Sequence, residues 1–304
     1  MKTADAVAAR NSETVALPPD RYLLRIRDLI YQSAGIFQPD HKLRLLEERC
    51  AKRMKEVGAG SLRDYLDCLT TKPSRQPEMV ALLNEITIGE TYFFRNQPQL
   101  DALRKIIIPK VIKAKSKSRL PSHTLRIWSA GCSTGEEPYT LAIMLLEDAQ
   151  LLPEGWSVTI QATDLNQNSV QHARRGEYGD YATRNLAPEI RQKYFVEKNG
   201  RLTVGSKVRS LVNVQRLNLL EDRTMALVKN IDIILCCNVL IYFDTASKIR
   251  VIDNFHNSLT PDGFLLLGHS ESLYRITDKF CLVHMPSATA YAKWENPLAP
   301  RSLR

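Results

Sequence analysis

Four stretches of this sequence carry polar side chains where the strands of an alternating strand and helix chain would end, and strand ends are where such folds bind ligands. The first is Ser129-Ala130-Gly131-Cys132-Ser133-Thr134-Gly135-Glu136-Glu137. Its two glycines let backbone approach a bound molecule closely. The spacing is G-x-x-x-G, without the glycine triplet of a dinucleotide fingerprint or the Gly-Lys-Ser/Thr of a phosphate loop. Glu136 and Glu137, at the start of a helix, repel a pyrophosphate and suit a ligand with cationic groups. The second is Asp164, a carboxylate that can accept both hydrogen bonds of a ribose diol, or equally cap the helix after it. The third is Asn218-Leu219. The fourth is Cys237-Asn238-Val239-Leu240-Ile241-Tyr242-Phe243, where Asn238 is a polar group in an apolar surround that must find a partner. One such residue is ordinary in a strand-to-helix turn. Four at successive strand ends form a constellation.

The elements that must position them follow from hydrophobic spacing. Residues 125–129, 157–163, 212–217, 231–236 and 264–267 read as strands, and 136–150, 167–175, 188–195 and 245–259 as helices. The 231–236 run is apolar at nearly every position, as in a strand buried on both faces. Pro261-Asp262-Gly263 reads as a turn, and two more β runs surround Cys281-Leu282-Val283 and Ala290-Tyr291-Ala292. Asn199-Gly200 between two short β-prone runs predicts a hairpin at 195–204. Repeated β-α-β units mean an α/β fold with a mostly parallel sheet. Ahead of it, Tyr22, Leu23, Ile26, Leu29 and Ile30, then Leu43, Leu46, Cys50, Met54 and Val57, recur at helical spacing. Gly58 stops the second helix, Ser61 caps a third, and another follows Pro77. The expected division is a tail at 1–19, a helical domain at 20–95, a basic helix or linker at 96–124, a larger domain at 125–295 and a tail at 296–304.

Composition narrows the class. The 304 residues are 44% apolar and 25% charged, an ordinary globular balance. Six cysteines without a C-x-x-C pair argue against a disulfide framework and against a zinc site. Residues 1–20 lack the apolar core of a signal peptide, and the longest apolar run is too short to span a bilayer. A reduced, cytoplasmic protein is expected. The net charge is +9, and seven Lys/Arg without an acid fall between Arg104 and Arg119. That run reads as a solvated face or a surface for nucleic acid or an acidic protein.

Taken together, Ile86-Thr87-Ile88-Gly89-Glu90-Thr91-Tyr92-Phe93-Phe94-Arg95, Ser133-Thr134-Gly135-Glu136-Glu137-Pro138-Tyr139, Ala162-Thr163-Asp164, Asn218-Leu219-Leu220, the 237–243 block and Gly268-His269-Ser270-Glu271-Ser272 closely resemble the chemotaxis receptor methyltransferases, the CheR family. The resemblance spans about residues 20–294. It implies a Rossmann-like class I methyltransferase domain with a small antiparallel β-subdomain at about 195–211, preceded by an all-α domain. It also implies an S-adenosylmethionine-dependent enzyme that methylates glutamate side chains of chemoreceptor signalling domains, with S-adenosylhomocysteine as product.

Carried over by position, Thr91 and Arg95 would sit near the methionine end of the cofactor. Glu136 or Glu137 would meet its amino group, and Asp164 its ribose. Asn218 and Leu219 would contact the adenine, Asn238 and Val239 would line the strand end, and Tyr242 would lie near the transferred methyl. Gly89 departs from the family, which often has asparagine there. A glutamate of the partner is ionised at neutral pH, so no general base is needed; Arg95 and the Tyr242 hydroxyl would hold its oxygens. His269 reads as structural. The partner would be an acidic helical bundle, with no nucleic acid and no membrane insertion. Lys42, Arg49 and Arg53, with Lys52 beside them, form a basic stripe on the second helix for docking it, or a solvated face. The rival readings are an RNA methyltransferase and a non-catalytic cofactor-binding adaptor.

Overall fold

The computed structural model describes residues 19–87, 89–118, 122–286 and 288–293, so the expected tails lie almost wholly outside the described residues. The Asp20 carboxylate accepts from the N–H groups of Tyr22 and Leu23, two donors that a helix start leaves open. α1 (Arg21–Ala34) ends at Gly35 with φ 66°, and α2 (Leu43–Val57) ends the same way at Gly58. Ser61 caps α3 (Leu62–Thr70). α4 (Arg75–Ile86) begins just before Pro77 rather than after it, since a first turn does not use the missing N–H. The four helices close one core around Ile26, Ile30, Leu46, Cys50, Tyr65 and Leu82.

The basic segment is helical but is not a spacer. α5 (Gln97–Ala102) continues through a π turn at Leu103–Ile107 into α6 (Ile108–Ser116). Pro109 has no N–H for the turn before it, and the helix widens there. Leu103, Ile107, Ile108 and Val111 pack against Leu125, Ile127 and Phe264, in the core of the larger domain. Part of the charge is paired internally, Arg104 with Asp148 at 2.9 Å and Lys115 with Asp232 at 2.7 Å.

The strands are β1 (Thr124–Ala130), β2 (Ser157–Asp164), β3 (Glu177–Tyr178), β4 (Phe195–Lys198), β5 (Arg201–Val204), β6 (Val212–Arg216), β7 (Ile231–Cys236), β8 (Leu259–Leu267), β9 (Phe280–His284) and β10 (Thr289–Lys293). The main sheet has the order β6-β2-β1-β7-β8-β10-β9. Its first five members are parallel, and β10 pairs antiparallel with both β8 and β9. Chain order reverses about β1, which puts the ligand crevice at the carboxyl ends of β1 and its neighbours. α7 (Glu136–Glu147) and α8 (Gln167–Arg175) follow β1 and β2. Pro261-Asp262-Gly263 lies within β8, where the pairing slips from Ile231–Leu259 to Ile233–Phe264. The residues expected as a turn are a bulge.

The hairpin is β4 and β5, with Asn199 and Gly200 at φ 51° and 69° as a two-residue type I′ turn requires. β3 adds a third strand to it; two residues are too short to signal themselves in a sequence. This small sheet is anchored by Phe93, which meets Tyr178 and Phe195 edge-on with centroids 4.9 and 5.1 Å apart.

Asp232 has no exposed surface in β7. Its carboxylate accepts from Lys115 Nζ at 2.7 and 2.9 Å, the Arg126 N–H at 2.8 Å and Thr260 Oγ1 at 3.4 Å. One acid thus ties α6, β1 and the β8 bulge to the central strand. Removing one partner of a buried ion pair costs roughly 3–5 kcal/mol. Asp232→Ala should lower the unfolding free energy by that amount in a denaturant titration. Lys279→Ala, which breaks a surface pair with Asp253, should change it by less than about 1 kcal/mol.

Candidate active site

A cavity of about 970 Å³ opens at the strand ends of the main sheet. The helical domain roofs it: Ala34 and Ile36 face the space, Asn218 Nδ2 donates to the Ser33 carbonyl at 2.7 Å, and Tyr31 Oη donates to Asp244 at 2.9 Å. Gly35 has to be glycine, because its φ is 66° and a Cβ there would lie 1.9 Å from Leu220 Cδ1.

Asp164 lines the cavity at the end of β2. It accepts from the N–H groups of Ser133 and Asn166, both at 2.8 Å, and still has lone pairs for further donors. It does not cap α8. The cap is Asn166, whose Oδ1 accepts from Asn168 and Ser169, while its Nδ2 donates to the Asn84 carbonyl and to Thr87. Burial pushes the Asp164 carboxyl above the usual range, against the pull of those N–H groups.

In the turn after β1, Gly131, Ser133 and Gly135 have φ of 79°, 49° and 100°. A Cβ on Gly131 would lie 2.3 Å from Val239 Cγ2, so the glycine lets two strand ends close on one space. Glu136 turns its carboxylate to Thr134 Oγ1, at 2.7 and 2.9 Å, and does not line the cavity. Glu137 does line it. Ser129 Oγ donates to Glu137 at 2.6 Å. Burial pushes the Glu137 carboxyl up, while the Ser129 hydroxyl, the Cys237 thiol and the Arg95 charge pull it down.

Thr91 and Arg95 reach the cavity from the segment after α4. Phe94 and Asn96, on either side of Arg95, have φ of 56° and 65°, a conformation that side chains with a Cβ rarely hold. It is held by the buried Phe93, whose N–H donates to Ala182, and by the Phe94 N–H, which donates to Thr140 Oγ1 at 3.1 Å. The Arg95 guanidinium is exposed at the mouth, with Nη1 on the Glu90 carbonyl at 2.7 Å.

Asn238, at the end of β7, also has positive φ, 61°. Glu271 accepts from its N–H and from that of Gly268, both at 2.8 Å, clamping β7 and β8 together. Val239 and Tyr242 line the cavity. Burial pushes the Tyr242 hydroxyl up, so at neutral pH it is a donor. Leu219 and Asn218 also line the cavity, although Asn218 already uses Nδ2 on Ser33 and Oδ1 on the Leu220 N–H. Gly89 presents backbone; a Cβ on it would lie 2.1 Å from Ser133 Oγ. His269 is exposed at the rim.

Three of the four residues of the basic stripe face acids of their own domain. Arg53 is half-buried against α4, donating Nε and Nη2 to Glu78 at 3.0 and 2.7 Å, and it also pairs with Glu56. Lys52 reaches Glu85 at 2.9 Å and Arg49 reaches it at 4.0 Å. Of the four, Lys42 stands exposed without an ion pair among the described residues. A helical spacing shows which residues share a face, not that α4 carboxylates lie against it. Asn166 and Glu271 were legible only as an asparagine opening a helix and a carboxylate within a motif. Gln99, which bridges the Leu267 carbonyl and the Cys237 thiol, carried no signal.

The donor set fits S-adenosylmethionine. Of the three carboxylates in the lining, Glu137 and Asp164 face the interior with amides and leucines around them, while Glu90 is exposed beside the one arginine, Arg95, at the mouth. A cation and a diol find acceptors there. Asp164→Ala should weaken S-adenosylhomocysteine binding by about 1.5–3 kcal/mol in calorimetry. Glu137 adds a pH dependence. Its folded pKa is raised above the ordinary glutamate value, so the ligand-free fold loses stability as pH rises from that value through the raised one. At neutral pH Glu137→Gln should therefore raise the melting temperature of the ligand-free protein while weakening S-adenosylhomocysteine about tenfold or more. Wild-type affinity should fall as pH drops into the same window.

Two family profiles match the chain in tandem: "CheR methyltransferase, all-alpha domain" at residues 22–87 and "CheR methyltransferase, SAM binding domain" at 89–289. Chemotaxis protein methyltransferase 2 of Vibrio cholerae is 33% identical over 275 residues, 90% of this chain and 93% of its own length. Chemotaxis protein methyltransferase 1 of Pseudomonas aeruginosa is 35% identical over 269 residues, 87% of this chain and 95% of its own. Among solved structures, an O-methyltransferase family protein from Burkholderia thailandensis aligns with 82% of this chain and 68% of its own at a TM-score of 0.37 and 12% identity, too distant to bear on chemistry. The paired domains, the cavity and the cofactor that suits it agree: this chain is a member of the CheR family of S-adenosylmethionine-dependent chemotaxis methyltransferases.

Proposed function

We propose that this enzyme methylates glutamate side chains in the acidic, helical cytoplasmic region of methyl-accepting chemotaxis receptors, giving glutamate methyl esters and S-adenosylhomocysteine. The observation that carries the reading is the placing of charge: Glu137 and Asp164 lie inside the cavity, and at its mouth Arg95 and the protonated Tyr242 stand with Glu90, whose carboxylate is engaged by Tyr181. An anionic nucleophile is drawn to that mouth and kept from the interior. When bound, S-adenosylmethionine supplies a methyl group on a sulfonium. Glu137 would hold its ammonium group and Asp164 its ribose.

A glutamate carboxylate is ionised at pH 7, with an ordinary pKa of about 4.3, so the chain needs no base. Its work is to orient the two reactants and exclude water. The Arg95 guanidinium offers a planar fork to the incoming oxygens. The Tyr242 hydroxyl donates to the same group. The rigid, strained backbone around Arg95 keeps the fork in place before the substrate arrives. Relatives that act in chemotaxis support the same reading.

Radiolabelled S-adenosylmethionine offered with receptor cytoplasmic fragment and RNA side by side should give base-labile label on the receptor alone. Label on RNA, or base-stable label on protein, overturns the assignment. Single-turnover rate at saturating cofactor should be flat from about pH 6 to 9 and fall only as the substrate carboxyl protonates. Arg95→Lys keeps the charge and loses the fork, so it should slow the reaction about 10- to 100-fold with the profile unchanged. A bell-shaped profile that disappears in His269→Gln would mean that a histidine takes part.

A further inference from the structure

The mouth of the cavity is apolar on one part of its rim and cationic on another. On the first part, the chain between α1 and α2 runs beside the segment after β7. Ile36 bridges Phe243, and the Phe37 N–H donates to the Tyr242 carbonyl at 3.1 Å. This pairing leaves Phe37 49%, Ile241 53% and Tyr242 37% exposed, side by side. Ile241 and Tyr242 also line the cavity, so the patch is continuous with the route by which a substrate group reaches the methyl. Clustered exposed apolar residues mark a contact with another molecule.

On the second part, Arg184 lies between two aromatic rings, 3.6 Å from the Tyr92 centroid and 4.0 Å from that of Tyr181. Tyr92 lines the cavity, and Arg95 approaches its ring at 5.7 Å. Tyr181 is tied to the same rim through its hydroxyl, which donates to Glu90 at 2.9 Å. Arg184 is exposed and forms no ion pair among the described residues. Two aromatic faces hold its plane and Nη1 donates to the Tyr181 carbonyl, so its remaining donors are presented at little cost in side-chain order. This is a preset cation beside the mouth. It contrasts with Arg49, Lys52 and Arg53, which face carboxylates of their own domain.

We propose that this rim is a two-part docking surface for an amphipathic, acidic α-helix of the substrate. Phe37 and Ile241 take an apolar side chain within a turn or two of the target glutamate, and Arg184, held between Tyr92 and Tyr181, takes a second carboxylate. The proposal rests on the receptor reading above and adds to it a requirement on the substrate: an apolar residue near each methylated glutamate on the same helix. The occupant is set by the rim's own chemistry. An apolar helix would leave Arg184 unanswered, and a uniformly charged one would leave Phe37 and Ile241 in water.

The test is receptor methylation kinetics with two variants that lie outside the cavity lining, Phe37→Ser and Arg184→Glu, in the full-length enzyme. S-adenosylhomocysteine affinity by calorimetry reports that each variant is folded. Each should raise the KM for the receptor fragment about tenfold and leave the saturated rate near wild type. Arg184→Glu should also flatten the salt dependence, since it removes a steering charge. Receptor fragments with serine in place of the apolar residues flanking the target glutamates should show the same KM rise with wild-type enzyme and little further rise with Phe37→Ser. Unchanged KM in both variants, with wild type labelling the receptor normally, overturns the docking surface and leaves the glutamate reading standing. Failure of wild type to label the receptor overturns both. Concentration-dependent dimerisation that Phe37→Ser abolishes, with receptor KM unchanged, assigns the patch to a second copy of the chain and overturns it as well.

Discussion

The site depends above all on how the end of β2 satisfies its neighbours' backbone. Asp164 accepts the N–H groups of Ser133 and Asn166, and Asn166 at once caps α8 and binds the end of α4. Three residues thereby join the turn after β1, the start of α8 and the helical domain. Buried backbone donors and acceptors must be paired. Here the pairing draws the helical domain against the strand ends, and the cavity is the space between.

Within that space the charges are sorted by depth. A buried carboxylate is costly unless something answers it, and burial pushes both Glu137 and Asp164 upward. A ligand that brings a cation and hydroxyl donors relieves that cost. The mouth carries Arg95 and Arg184 around Tyr92, with the Glu90 carboxylate beside them held by Tyr181. A cationic cofactor suits the interior, and the anionic substrate proposed above suits the mouth.

Strain is concentrated at the same place. Phe94, Asn96, Ser133 and Asn238 all hold left-handed backbone around the cavity, each at a cost of order 1–3 kcal/mol. Three of them are held by a neighbour: Phe94 by Thr140 and the Phe93 anchor, Ser133 by Asp164 and Asn238 by Glu271. Phe93 also explains the small three-stranded sheet, whose Tyr178 and Phe195 grip it. That sheet braces the segment carrying Arg95. The fold maintains these conformations with contacts made far from the reacting atoms.

Local order was legible in the sequence. The helical repeat of the first domain, the parallel strands, the Asn-Gly hairpin and the row of polar strand ends follow from periodicity and turn chemistry, which act over a few residues. Questions of direction and partner were not legible. Glu136 and Glu137 are adjacent in sequence but about 100° apart around a helix, and only the packing of α7 turns Glu137 inward. Asp164 and Asn166 both suit a cap, and the N–H of Ser133, supplied from another strand end, engages the aspartate. Arg53 shares a stripe with Lys42, yet α4 brings Glu78 to it from 25 residues away. Sequence by itself determined which residue types stand at each strand end, because that is a matter of spacing. Which of them face the cavity, and which are engaged elsewhere, only the tertiary structure decided, because the deciding partners are distant in the chain.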